Sequence, residues 1–225
     1  MSSHRIALIH ATPLAHEPIW EALTRLWPES TAINLTDDSL SRDLDELGEL
    51  TRSMAERIVS LARYAASCGA NGVLFTCSGF ATAIDEAKKA VSIPVLKPDE
   101  AMIEEALSTG SRIGALATFR PTIDSLKAEL EAAAAERGVS PQIDLRHVPR
   151  AMEALRAGKA AEHDAMIARA AEALSAHDVV ILAQFSMARA RTAIAQVPRR
   201  RVLTSPDSAV KRLQELIASP SVIEK

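Results

Sequence analysis

Cys77 closes an unbroken apolar run, Gly72-Val73-Leu74-Phe75-Thr76, and Ser78-Gly79-Phe80 and a helical pattern follow at once. A thiol at that junction is placed to move a proton or to attack carbon. The free backbone N–H groups of Ser78, Gly79 and Phe80 favour a thiolate there and also receive a carboxylate. Gly79 lets ligand atoms come close to the backbone. The competing description is a structural cysteine that fills the core. Cys68, at the end of a helical stretch before Gly69, fits that second description well. The same junction recurs later, where Val179-Val180-Ile181-Leu182-Ala183 runs into Phe185-Ser186-Met187 with Gln184 at the position of Cys77. An amide neither takes nor gives a proton near neutral pH.

Other polar residues fall at strand ends. His10 ends the first apolar run, Arg5-Ile6-Ala7-Leu8-Ile9, and its ordinary pKa near about 6.5 suits it to pass a proton or to tune Cys77. A hydrogen-bonded histidine capping a strand is the alternative. Thr12 follows that strand, and Thr118 follows Arg112-Ile113-Gly114-Ala115-Leu116-Ala117. With Ser78 and Ser186, these hydroxyls are placed to hold a carboxylate and stabilise an enediolate. Phe119, Phe185 and Met187 point to a less polar substrate or, equally well, to core packing. Arg120, Arg189 and Arg191 are candidate second carboxylate contacts or solvated helix residues. His147, His163 and His177 lie near element ends, and no His/Cys/Asp spacing suggests a metal site.

Strand-like runs alternate with helical patterns nearly throughout. Helical spacing covers 17–27, 45–67 (read as one long amphipathic helix), 82–90, 98–108, 121–136, 160–174 and 206–218, with a further helix from Met187. One offset of 107 residues carries Arg5-Ile6 onto Arg112-Ile113, Val73-Leu74 onto Val180-Ile181, Cys77 onto Gln184 and Val95-Leu96 onto Val202-Leu203. One further residue of shift brings Pro98-Asp99 onto Pro206-Asp207. The constancy of the offset predicts a duplicated parallel α/β unit, with lobes over 1–110 and 111–225. The helix 205–220 is a candidate to return onto the first lobe. Two such lobes are expected to bind a ligand in a cleft at the carboxyl ends of their strands.

Composition bounds the rest. Hydrophobic residues make up 48% of the 225 and aromatics only 3%, a balance that suits aliphatic parallel strands under Ala-rich helices. A net charge of −3 gives no reason to expect nucleic acid or an anionic membrane, and Arg199-Arg200-Arg201 is too short a run to change that. No apolar run approaches the about 20 residues of a membrane span, and no signal peptide opens the chain. Two cysteines make no secreted disulfide pattern. A soluble, cytoplasmic protein is the expectation.

Three segments carry a resemblance: Gly72-Val73-Leu74-Phe75-Thr76-Cys77-Ser78, Ile113-Gly114-Ala115-Leu116-Ala117-Thr118-Phe119-Arg120-Pro121-Thr122, and Asp178-Val179-Val180-Ile181-Leu182-Ala183-Gln184-Phe185-Ser186-Met187-Ala188. In this order and at this spacing the chain resembles the aspartate/glutamate/hydantoin racemase superfamily, which includes maleate isomerase and arylmalonate decarboxylase. The resemblance implies two pseudo-symmetric, flavodoxin-like α/β lobes, no metal or organic cofactor, and a small carboxylate or carbonyl substrate such as an amino acid or hydantoin. A homo-oligomer is common among such relatives. It also implies two cysteines on opposite faces of the reacting carbon, one removing a proton and the other returning one. Cys77 matches the first of the pair, and Gln184 stands where the second belongs. A symmetric two-thiol mechanism therefore does not carry over unchanged. Single-thiol decarboxylation, cis-trans isomerisation of a dicarboxylate, and anion binding without turnover are the alternatives. Thr12, Ser78, Gly79, Thr118, Phe119, Gln184, Phe185 and Ser186 are the expected substrate contacts, and His10 a second proton-handling candidate.

Overall fold

Strands that are apolar on both faces must be covered on both, and that requirement organises the chain. The computed structural model describes residues 4–194 and 201–219; Arg199 and Arg200 of the basic run, and position 220 of the expected last helix, lie outside them. Among the described residues there are two four-stranded parallel sheets. In the first, β1 (Arg5–His10), β2 (Thr31–Thr36), β3 (Gly72–Phe75) and β4 (Val95–Leu96) lie in the order β2-β1-β3-β4. In the second, β5 (Arg112–Ala117), β6 (Gln142–His147), β7 (Val179–Leu182) and β8 (Arg201–Thr204) repeat it as β6-β5-β7-β8. The expected pair of parallel-sheet α/β lobes is what the chain forms.

The repeat reaches single hydrogen bonds. Asn71 Oδ1 accepts from the Arg5 N–H at 2.8 Å, and Asp178 Oδ2 accepts from the Arg112 N–H at 2.9 Å. Each of these two residues also returns its own N–H to the same arginine's carbonyl. In this way both units fix the start of their central strand pair from the loop before the second strand. Asp178 adds an ion pair with the Arg112 guanidinium at 2.6 Å, and that guanidinium holds its carboxyl below the ordinary range.

In the first unit, residues up to Glu100 together with the chain from Ala209, alternation sorts the strand side chains between two faces. Ala7, Ile9, Val73, Phe75 and Val95 meet α3 (Arg52–Ser67) and α4 (Ala81–Ala90) through Met54, Ile58, Ala62, Ala83, Ile84 and Ala87. The opposite face holds Ile6, Leu8 and Leu74, all buried. A side chain at Gly72, on that face, would lie 3.0 Å from both Leu213 and Ile217 of α10 (Ser205–Ala218), so only glycine admits the helix this closely. The remaining helix of this unit before β2 is α1 (His16–Leu26).

Between β2 and β3 the single long helix expected over 45–67 is two helices, α2 (Ser39–Leu47) and α3. Gly48 takes a left-handed φ of 70° to close α2, and Thr51 Oγ1 accepts from the Met54 N–H to open α3. Hydrophobic spacing ran through both helices and hid this stop–start signal.

The second unit, Ala101–Ser208, is built likewise. One sheet face packs Ile113, Ala115, Val179, Ile181 and Leu203 against α5 (Glu100–Thr109) and α6 (Pro121–Glu136). The other packs Leu116, Val180 and Leu182 against α7 (Ala151–Arg156), α8 (Ala160–Glu172) and α9 (Arg191–Ile194). α5, read from the sequence as closing the first lobe, puts Met102, Ile103 and Ala106 in this second core. Mid-strand Gly114 lets Leu174 sit on the sheet: an added Cβ would meet Leu174 Cδ1 at 2.9 Å and its Cβ at 3.2 Å. Leu174 is fully buried, so the side chain that must give way lies in the packed core. Gly114→Ala is expected to cost about 1–3 kcal/mol of stability, read as a lower urea midpoint at unchanged slope. Among the described residues no helix is long and apolar enough to cross a membrane, and no cluster of His, Cys, Asp and Glu is gathered for a metal ion.

Candidate active site

Parallel pairing sets which residues stand level at the carboxyl ends of the strands. In the first unit Ile9 pairs with Phe75, so the next steps put His10 beside Thr76 and Ala11 beside Cys77. On the other side Leu74 pairs with Leu96, which brings Asp99 level with Cys77 when the register is continued. Cys77 itself leaves the strand in an extended conformation and caps a short 3-10 turn, Ser78–Phe80, anchored by the buried ring of Phe80.

The thiol's surroundings oppose ionisation. Although the residue keeps some surface, burial is the largest influence on the sulfur and raises its pKa above the ordinary 9.0. The backbone N–H of Gly79 favours the thiolate and pulls the other way, as the sequence suggested; the charges of Asp99 and Asp45 add to the rise. Ser41 of α2 also lowers the pKa by hydrogen bonding. It does so only by releasing the Ala11 carbonyl, to which its single hydroxyl proton is donated at 2.8 Å. The thiolate expected from a helix start is thus corrected to a thiol. A three-residue turn supplies one useful N–H, and desolvation with two nearby carboxylates outweighs it.

α2 is the element that brings Ser41 and Asp45 to this place. Its start is tied down by Arg57 of α3, which donates to Asp37 Oδ2 at 2.9 Å and to Asp43 Oδ2 at 2.6 Å. Burial opposes ionisation of Asp37, but the hydrogen bonds from Arg57 and Ser39 hold its carboxyl below the ordinary range. Leu44 lies against Gly79, where an added Cβ would come within 2.9 Å of Leu44 Cδ2. Helix and turn therefore fit each other only with glycine at 79.

His10 stands beside Thr76, the residue before Cys77. It is 1% exposed, with Nδ1 2.9 Å from Thr76 Oγ1 and Nε2 3.0 Å from Asn34 Oδ1. The amide oxygen only accepts, so Nε2 carries the proton and Nδ1 accepts from Thr76. Burial, with a smaller contribution from the neighbouring His16, whose ring centroid is 4.1 Å away, lowers its pKa to about 4 despite the Asn34 bond. A neutral imidazole with both nitrogens engaged positions Thr76, the residue that precedes Cys77. Thr12 faces a local task, accepting at 3.5 Å from the Leu14 N–H to cap the turn Pro13–Ala15.

In the second unit Leu116 pairs with Leu182, and continuing the register sets Thr118 beside Gln184. Gln184 Oε1 accepts from the Thr118 N–H at 2.7 Å and from Thr118 Oγ1 at 3.0 Å. Thr118 and Ser186 are buried, Phe119 is exposed, and Phe185 is 4% exposed. Met187 belongs to the core with Leu182 and Ile167, so its packing role is the one realised. Arg189 pairs with Asp164 at 3.1 Å and Arg191 with Asp207 at 3.0 Å, which turns both toward their own unit's carboxylates. The sequence reading missed Asn34, Ser41 and Asp45. Asp99 carried a signal, its match to Asp207 in the repeat.

A sequence model described as Asp/Glu/Hydantoin racemase matches residues 15–213. No curated protein matches the sequence. Among solved structures, the aspartate racemase of Picrophilus torridus superposes with a TM-score of 0.72 at 13% identity, covering 96% of this chain and 95% of that one. The allantoin racemase from Klebsiella pneumoniae gives 0.69 at 17% identity, covering 96% and 88%. A glycine-to-cysteine mutant of arylmalonate decarboxylase, in its sulfate-associated form, gives 0.60 at 19% identity, covering 96% and 94%. These structures are similar to the chain in fold.

Proposed function

We propose, from the premise that the chain belongs to the Asp/Glu/hydantoin racemase family and is an enzyme of the racemase or isomerase type, that it moves a proton at the carbon next to a carboxylate or carbonyl of a small acid without a cofactor. Cys77 carries the proton. The observation that supports this reading best is the cysteine itself, at a strand end that opens a short turn, with buried Thr76 before it and buried Asp99 level with it. Amino acids, hydantoins and related acids are the substrate class.

The raised pKa makes the resting group an acid. As a thiol it delivers its proton to a carbanion or enediolate, and the thiolate left behind recovers a proton from water. To abstract a proton it must first ionise, which only a small fraction does near neutral pH. His10 is a poor stand-in for the missing base: burial lowers its pKa to about 4, and both nitrogens are engaged. It acts as a positioning residue.

A second reading, decarboxylation, is favoured by the same thiol and by Gln184. Loss of carbon dioxide from a malonate breaks the C–C bond, leaves the electron pair on the α-carbon and its carboxylate, and needs one proton from one donor. No partner base is required.

The test is a screen in D2O over amino acids, hydantoins and malonates, following deuterium at the α-carbon, optical rotation and carbon dioxide release. Exchange or decarboxylation that disappears in Cys77→Ala supports the proposal; no exchange and no carbon dioxide from any of them sinks it. Exchange with retained configuration marks a one-base enzyme. Gln184→Cys restores the family's second thiol and is expected to add loss of optical activity to whatever exchange the parent shows, measured by polarimetry on a single enantiomer.

A further inference from the structure

We infer that Gln184 is a carboxylate-binding donor of the second unit, an amide fixed in orientation to take an acceptor-only group of the ligand. The inference rests on the reading of the chain as an enzyme acting on small carboxylates. A primary amide has two chemically different ends, and its neighbours decide which end faces where. The Thr118 backbone N–H has only a proton to offer, so the atom 2.7 Å from it is the amide oxygen. Thr118 Oγ1, 3.0 Å from the same oxygen, donates there too. Both bonds hold the oxygen toward the end of β5 and turn the NH2 group away from it.

Neither N–H of that group has an acceptor among the described residues, and Gln184 is only partly buried. Two residues on, Ser186 is 7% exposed and its hydroxyl likewise has no partner among the described residues. A side chain anchored by two hydrogen bonds with both donors unused has lost its rotational freedom in advance, which lowers the cost of gripping a ligand. A carboxylate matches these donors because it only accepts. Thr118 is the positioning residue, and its burial at 4% exposure keeps it in place. The corresponding position in the first unit is Ala11, whose side chain offers no hydroxyl to hold an amide beside Cys77.

The test uses the full chain, labelled with nitrogen-15, and sodium malonate as the probe. The side-chain amide resonances of Gln184 are identified by their disappearance in Gln184→Glu. Malonate is expected to shift them saturably and to bind that variant at least about tenfold more weakly, because a charged oxygen replaces the NH2 while the oxygen facing Thr118 is kept. Thr118→Val, which removes the hydroxyl and keeps the N–H, should weaken malonate binding by a few-fold and broaden the same resonances. Unmoved Gln184 resonances, absence of malonate binding, or equal binding by Gln184→Glu would overturn the inference. Cys77→Ala should retain the shift. A protein that shows the shift but no proton transfer sinks the proton-transfer reading alone, whereas proton transfer with Gln184 untouched sinks this one alone.

Discussion

Cys77→Ala should abolish the proton-transfer activity, with a loss on the order of 10²–10⁴ in rate and little change in substrate affinity. Methyl replaces thiol at a strand end without altering the backbone, so the unfolding midpoint should stay close to that of the parent. The pH dependence carries the sharper information. Burial raises the thiol's pKa above the ordinary 9.0, with Asp99 and Asp45 adding to it. A reaction that uses the thiol as acid should therefore hold its rate through neutral pH and fall only above pH 9.0. One that needs the thiolate should climb steadily with pH over the same range. Alkylation by iodoacetamide should be slow at neutral pH and follow the climbing curve. Fast alkylation at neutral pH would contradict the environment described for the sulfur.

Acid should destabilise the protein before its carboxylates titrate. The folded-state pKa of His10 is depressed from 6.5 to about 4 by burial. Above pH 6.5 both folded and unfolded chains hold this imidazole neutral, and the stability is fully present. As pH falls from 6.5 toward about 4 the unfolded chain binds a proton that the folded one refuses, so stability drops. The full drop is about 3 kcal/mol, and it levels off once the folded form is protonated as well. Asp37, Asp144 and Asp178, held below their ordinary 3.8, add their losses only at lower pH. Urea unfolding across this window should show the decline in the parent and a flatter curve in His10→Gln. That variant will also be weaker at neutral pH, because it leaves Thr76 or Asn34 short of a partner. A parent curve without slope between pH 6.5 and about 4 would show that His10 is not held neutral.

Much of this architecture was legible because duplication gives two readings of one pattern. The offset that carries Cys77 onto Gln184 also carries Asn71 onto Asp178, and the two pairs of hydrogen bonds to Arg5 and Arg112 coincide in the structure. What escaped the sequence was carried by exceptions to periodicity. α2 and α3 share a continuous hydrophobic spacing, and a left-handed Gly48 with a capping Thr51 divides them. That division frees Ser41 and Asp45 to reach the thiol, so missing the break meant missing the residues. Asn34 lies in an unremarkable strand and matters only because β2 runs beside β1. The protonation of Cys77 depends on desolvation and on carboxylates from β4's end and α2, contributions that no local motif encodes.

The chain leaves the first unit at Glu100 and comes back to it at Ala209. α10, whose Leu213 and Ile217 close over Gly72, is made after every strand of both sheets. During synthesis the unit that holds Cys77 therefore waits, with the Gly72 side of its sheet still lacking α10, while the whole of the other unit is translated. Contacts so distant in sequence slow the search for the native state. The second unit can gather its own core in that interval, so order of appearance on the ribosome and order of completion are reversed: the half begun first is finished last. A chain truncated before α10 should leave the sheet around Gly72 without its helix and aggregate rather than yield a working half.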